Sequence, residues 1–239
     1  MDIIFLHFKK AFDKVPHGRL CLKVNVMGIG SQVENWIGSW LSDRKQRVII
    51  NGLCSGCSDV SSRVPQGSVL GPILFVIFSN DIEDGICGNI LQFADDTKLF
   101  CKVGSDINCA KLRADLRKLY NWSEDWQMLF NLNKYKIMHF GYNNPNNIFL
   151  LGGHILETVD EEKDLGVMIL KDLKVSSQCV KIVKIVNQIL AMIKRTFTFK
   201  IKDNLLQLYK CLVRLHLEYC MQVWNPYLKG CRFTSRSPA

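Results

Sequence analysis

Ile90-Leu91-Gln92-Phe93-Ala94-Asp95-Asp96-Thr97-Lys98-Leu99-Phe100-Cys101 places two short apolar runs on either side of adjacent aspartates. Runs of this length beside turn-forming residues predict two strands, Ile90–Phe93 and Lys98–Cys101, joined by an acidic turn over Ala94-Asp95-Asp96-Thr97. Neighbouring carboxylates repel one another unless water or a cation neutralises them. Hard divalent cations prefer carboxylate oxygens, so Asp95 and Asp96 are candidate metal ligands. Aspartate also favours turns for its own sake, and in isolation the pair reads as an ordinary acidic turn.

Working outward, Ile3–Phe8 predicts a buried strand that begins abruptly after Met1. Arg19–Leu41 predicts a helix broken by Gly28 and Gly30, and Val48–Gly52 a strand entering a turn. Val69–Ile82 predicts a buried helix with Pro72 tolerated in its first turn. Leu112, Leu116, Leu119, Trp122 and Trp126 recur at three- and four-residue steps, giving an amphipathic helix over Asp106–Trp126. Short strands are predicted near Ile137–Phe140, Ile148–Leu151 and Leu165–Ile169. From Ser176 the pattern is helical, with one stripe through Cys179, Ile182, Val183, Val186, Ile189, Leu190 and Ile193, and another through Ile201, Leu205, Leu208 and Leu212. The class is α+β: a body over residues 1–170, a basic helical segment over 171–228, and a frayed tail over 229–239.

Composition agrees with a globular chain, since 48% hydrophobic residues with 16 Gly and 6 Pro exclude disordered and fibrous classes. The net charge is +9 and unevenly spread: residues 1–162 hold 17 Lys/Arg against 18 Asp/Glu, residues 163–239 hold 14 against 4. A basic last third suits a polyanion, nucleic acid or anionic membrane, and equally a solvated basic helical surface. The 10 cysteines are irregularly spaced. Cys54-x-x-Cys57 has no second pair at zinc-site distance, and Cys211, His216 and Cys220 do not complete a four-ligand set. They read as reduced, buried small hydrophobes in an intracellular protein. The acidic N-terminus is unlike a signal peptide, and Val69–Phe78 is too short to span a bilayer, so no membrane partner is expected.

Two more stretches precede the acidic turn: Phe8-Lys9-Lys10-Ala11-Phe12-Asp13-Lys14-Val15-Pro16-His17 and Val64-Pro65-Gln66-Gly67-Ser68-Val69-Leu70-Gly71-Pro72. In this order the three resemble motifs A, B and C of reverse transcriptases, in the form used by LINE-type (non-LTR) retrotransposons of the jockey and chicken-repeat kind. The resemblance continues through Lys134 (motif D), Glu162–Val167, Leu212-Val213-Arg214 and His216–Cys220, and covers residues 2–228. It implies a polymerase palm, an antiparallel sheet backed by helices, followed by a thumb-like segment. Because the chain begins at motif A, it also implies that the fingers are missing. Asp95 and Asp96 would bind Mg²⁺ in a two-metal nucleotidyl-transfer site. Phe12 would be the steric gate under the sugar of a dNTP, and Gln66 and Gly67 would line the nucleotide pocket. Lys134 would donate a proton to the leaving pyrophosphate. The partners would be an RNA template, a DNA primer and dNTP.

Three positions depart from the family pattern. Motif A begins Leu-Asp-Phe, and here the residues are Leu6-His7-Phe8. A histidine offers one nitrogen lone pair in place of bridging anionic oxygens, so His7 marks a degraded ligand position. Asp13 lies six residues on, about 20 Å along an extended strand, and Asp2 is at an odd offset that points it to the other face. Arg63 stands where the family has Gly, which suits a backbone angle unfriendly to side chains. Leu215 replaces a proline between Arg214 and His216. These departures leave three readings: a reverse transcriptase by descent with activity lost, a non-catalytic remnant gripping nucleic acid through Lys163–Arg236, and a chain that does not fold stably.

Overall fold

In a computed structural model, which describes residues 1–60, 62–197 and 201–225, the chain forms two units, Met1–Thr158 and Val159 onward. The tail expected over 229–239 lies outside the described residues.

The first unit opens on β1 (Asp2–His7), followed by the short turn of helix α1 (Ala11–Lys14). Next come α2 (His17–Val26) and α3 (Ser31–Leu41), parted at Gly28 and Gly30 as the sequence requires. Two small antiparallel ribbons follow. β2 (Lys45–Gln46) pairs with β5 (Ser58–Asp59), and β3 (Ile49–Ile50) with β4 (Leu53–Cys54). α4 (Leu70–Ser79) leads into a hairpin of β6 (Asn89–Phe93) and β7 (Asp96–Cys101), and then into α5 (Asp106–Asp125). The unit closes with β8 (Lys136–His139), the ribbon of β9 (Leu150–Leu151) and β10 (His154–Ile155), and β11 (Glu157–Thr158).

Five strands make one sheet in the order β11-β8-β1-β7-β6, antiparallel except for the β11–β8 pair. The most apolar early strand, β1, is its centre. Strand alternation sends Ile4 and Leu6 to one face with their neighbours Leu99 and Ile137. That face carries the core, packed with Leu112, Leu116 and Leu119 of α5 and with Leu74, Phe75 and Phe78 of α4. Ile3, Phe5 and His7 point to the other face.

The expected buried helix, α4, is covered on one side only. Ile73 and Val76 are exposed while Leu74, Phe75 and Phe78 are buried, because a single sheet face can cover only one side of a helical surface. Its N-terminal turn is unusually close to the preceding loop. A Cβ on Gly71 would lie 2.4 Å from the Pro65 carbonyl oxygen, a backbone atom that cannot swing away. Gly71→Ala should therefore destabilise the protein by about 2 kcal/mol in urea unfolding.

The second unit pairs β12 (Glu161–Asp164) with β13 (Val167–Leu170) ahead of α6 (Ser176–Thr196). α7 (Lys202–Leu208), a π-helical turn over Tyr209–Val213, α8 (Arg214–Glu218) and α9 (Met221–Trp224) follow. Val167, Cys179, Ile182 and Trp224 form its core. The wide π turn corrects the second predicted stripe. Leu205 and Leu208 are half-buried, but the next inward residue is Val213, five positions on, and Leu212 is turned outward.

Of the described cysteines only Cys109 and Cys179 are buried. The expectation that they serve as core hydrophobes fails for Cys54 and Cys57, which sit on or beside a two-residue strand with no covering layer, and for Cys87 and Cys211. Among the described residues no helix is long and apolar enough to cross a membrane.

Candidate active site

The β6–β7 hairpin is tighter than its sequence suggests. Phe93 pairs directly with Asp96, so the turn is Ala94-Asp95 alone, and Asp96 and Thr97 belong to the strand. Ala94 takes φ 52°, as a two-residue hairpin turn demands of its first position. Asp95 therefore projects from the tip, and Asp96 is fixed in the sheet.

The sheet register completes the site. β1 runs antiparallel to β7 with Leu6 opposite Thr97 and His7 opposite Asp96. Directly opposed residues share a face, and His7 Nδ1 lies 2.6 Å from Asp96 Oδ1. Both side chains are partly exposed, so the pair sits at a wet edge. The His7 carbonyl accepts the Asn131 N–H at 2.7 Å, which ties the loop ahead of β8 to the end of β1. Lys134 closes a 3₁₀ turn over Leu132–Lys134, and its N–H donates to the Asn131 carbonyl at 2.9 Å. Its side chain is exposed. His7, Asp95, Asp96 and the turn carrying Lys134 are thus gathered at one end of the central strands.

Phe12, Gln66 and Gly67 form a second group. Phe12 sits on α1 with its ring stacked on Phe75 at 5.0 Å, and its carbonyl accepts the Val64 N–H. Gln66 and Gly67 are exposed in the loop between that anchor and α4, Gly67 at φ 85°. Ser68 closes the loop, donating its hydroxyl to the Pro65 carbonyl and accepting the Gly71 N–H.

Neither spare aspartate serves the hairpin. Asp2 is fully buried on the core-side face, 2.8 Å from His139 Nδ1 and accepting a hydrogen bond from Asn144. Asp13 is held by Arg63 Nε at 2.6 Å. Sequence reasoning missed this second pair, although Arg63 had drawn attention as a replaced glycine. Its backbone is at φ 112°, the positive region that favours glycine. Arg63→Gly should be about 1–2 kcal/mol more stable than Arg63→Ala in thermal unfolding. Both lose the Asp13 contact, and only alanine keeps a Cβ at that angle.

The donor set decides whether the hairpin suits a pair of Mg²⁺ ions. It offers the carboxylates of Asp95 and Asp96, with an imidazole where a bridging oxygen is required. One Asp96 oxygen is already engaged by His7. Among the described residues no group of three or more His, Cys, Asp or Glu side chains is arranged to hold a metal ion. The residues present do not fit two bridged Mg²⁺ ions.

The chain belongs to the reverse transcriptase (RNA-dependent DNA polymerase) family, whose model matches residues 3–183. Its relatives place it with reverse transcriptase domains of non-LTR retrotransposons. It is 27% identical over 242 residues to the RNA-directed DNA polymerase from mobile element jockey of Drosophila funebris, covering 92% of this chain and 25% of that protein. The jockey enzyme of Drosophila melanogaster is 30% identical over 141 residues, covering 54% of this chain and 15% of the relative. The probable RNA-directed DNA polymerase from transposon BS of the same species is 30% identical over 145 residues, covering 56% and 16%. The chain thus spans a quarter or less of the length of these relatives. A solved telomerase from Candida albicans, in complex with a fragment of telomeric RNA, aligns over 94% of this chain and 39% of its own at 12% identity and TM-score 0.42.

Proposed function

We propose that residues 1–170 are a reverse transcriptase palm and residues 171–228 a thumb-like segment, descended from an RNA-directed DNA polymerase and disabled at its metal site by His7. The single observation behind this reading is the 2.6 Å contact between His7 Nδ1 and Asp96 Oδ1. It fills the corner where a third carboxylate would stand. In an intact site of this family Asp95 and Asp96 would hold Mg²⁺, Phe12 would lie under the sugar of the dNTP, and Gln66 and Gly67 would flank the nucleotide. Lys134 would supply a proton to the leaving pyrophosphate. RNA template and DNA primer are the macromolecular partners.

The test is Mg²⁺-dependent primer extension on an RNA template, comparing the chain with His7→Asp and with His7→Asp/Asp95→Asn. The chain itself should stay at background, the single variant should extend the primer, and the double variant should return to background. Removing one preorganised electrostatic group costs roughly 10²–10³ in rate, so the contrast is large. Extension by the unaltered chain, or silence from the single variant, would show that His7 is not the deciding lesion.

A second reading, a non-catalytic nucleic-acid-binding remnant, draws on α6. That helix carries Lys181, Lys184, Lys194 and Arg195 and no acidic residue. Charge reversal of all four should weaken RNA binding and flatten its salt dependence, since each lost phosphate contact removes about 0.7 from the slope of log K against log salt on a single strand.

A further inference from the structure

The face of the sheet away from the catalytic hairpin carries a cavity of about 320 Å³ between α5 and the β9–β10 turn. Its wall is Arg113, Arg117 and Tyr120, one stripe of α5, with Leu116 and Leu150 as an apolar floor and Gly152-Gly153 opposite. Leu112, Leu116 and Leu119 of the same helix pack on the Ile4, Leu6 and Leu99 side of the sheet, whereas His7 and Asp96 share the other face. The cavity is therefore separate from the candidate active site.

Its electrostatics are one-sided. Between Ile107 and Ser123, α5 carries Lys111, Arg113, Arg117 and Lys118 and a single acid, Asp115. That acid is 1% exposed and turned inward, accepting the backbone N–H groups of Cys87 at 2.9 Å and Gly88 at 2.8 Å. Its middle turns therefore present cations outward, with the exposed acids Asp106, Glu124 and Asp125 confined to the two ends of the helix, and a cationic middle favours an anion. Size and lining narrow the choice. The volume lies at the low end of small-molecule sites, about 300–1,000 Å³, and exceeds what a bare phosphate fills. An aromatic ring and two leucines beside paired guanidinium groups match a base with its phosphate. Arginine forks bind phosphate oxygens bidentately, and aromatic side chains stack on bases of any sequence. The turn is shaped to admit that ring, because a Cβ on Gly152 would fall 2.3 Å from Tyr120 Cε2.

We propose that Arg113, Arg117 and Tyr120 form an accessory site for single-stranded RNA, the arginines holding a phosphate and the tyrosine and leucines receiving the adjoining base. The inference rests on the nucleic-acid reading of the chain but not on any catalytic residue. A single strand is favoured over a duplex because the base must leave its stack to reach the floor.

The test uses the full chain and a fluorescent oligouridine carrying one 4-thiouridine. In the unaltered protein, photo-crosslinking and peptide mapping should find the label on the α5 segment containing Arg113–Tyr120, and uridine monophosphate should compete where inorganic phosphate does not. Arg113→Gln/Arg117→Gln should weaken binding at least tenfold and reduce the salt slope by about 0.7, the one phosphate contact the pair makes. Tyr120→Leu should weaken binding by about fivefold or more. Crosslinks confined to other segments, or an unchanged affinity and slope in the double variant, would overturn the site. Equal competition by inorganic phosphate would overturn the base contact, and displacement by polyglutamate but not by uridine monophosphate would point to an acidic peptide instead. Failure of primer extension by His7→Asp leaves these readouts unaffected, so the two ideas fail separately.

Discussion

Replacing His7 with aspartate should leave the metal-free protein less stable and make its stability depend on Mg²⁺, whereas the unaltered chain should respond little to the ion. In the chain as it stands, His7 and Asp96 are mutually satisfied across the β1–β7 pair. The substitution removes that contact and sets a third carboxylate beside Asp95 and Asp96. Like charges directly opposite on neighbouring strands are destabilising. Both side chains are partly exposed, so screening limits the loss to about 1–2 kcal/mol in EDTA. A divalent ion reverses the sign, since three carboxylates supply the oxygens a hard cation takes. Ion at roughly a hundred times its dissociation constant would return about 2.7 kcal/mol. Thermal unfolding with and without Mg²⁺, and Mn²⁺ titration followed by electron paramagnetic resonance, read the two halves separately. If the unaltered chain gains as much stability from Mg²⁺ as the variant, the donor set has been misjudged.

The largest stability effect is expected at Lys23. Its amine is buried against three aromatic rings, 3.7 Å from the centroid of Trp126 and 4.9 Å from those of Phe78 and Trp122. It donates to the Phe78 carbonyl and to the Asp81 carboxylate, which also accepts from Trp122 Nε1. One side chain thus joins α2 to α4 and α5. Lys23→Ala removes the cation–π contacts, opens space under two indoles, and leaves the Phe78 carbonyl without this donor. Asp81 is partly exposed and recovers water, which tempers the usual 3–5 kcal/mol for breaking a buried pair to about 3 kcal/mol. Urea unfolding followed by tryptophan fluorescence would measure this, and a loss below about 1 kcal/mol would mean that the cage contributes packing alone.

Lys23 also predicts a pH dependence. Burial pulls its amine below the ordinary lysine range, against the opposing pull of Asp81 and Asp84. The folded protein therefore releases this proton before the unfolded chain does. Stability should rise as pH climbs from that lowered value towards 10.5, and Lys23→Met should lack the rise. Burial pushes the Tyr135 phenol up, so its contribution is intact below pH 10 and lost only above it.

Much of this was legible in the chain itself, for identifiable reasons. Leu112, Leu116 and Leu119 keep helical spacing and are buried where α5 was expected. Asp95 and Asp96 fall at a hairpin because apolar runs flank them, though the sequence could not say that the turn is two residues long. Turn length follows from strand pairing, and pairing is not written in the turn. The long apolar stretch of α4 concealed its half-exposure, because hydrophobicity without periodicity does not say how many neighbours a helix will find. The π turn was invisible for a related reason, as one extra residue per turn shifts every later position without altering composition. Lys23 gave no signal at all, since its partners at Phe78, Asp81, Trp122 and Trp126 are distant in sequence.

By itself the sequence determined the order of the motifs, hence the family and the α+β class, because these depend on residue type and spacing along the chain. Only the tertiary structure decided that His7 faces Asp96, that Asp2 and Asp13 are committed elsewhere, and that Arg113 and Arg117 of α5 line one wall of a cavity. Each of these depends on strand register or helix packing between segments far apart in the chain, where a shift of one residue would turn every side chain to the opposite face.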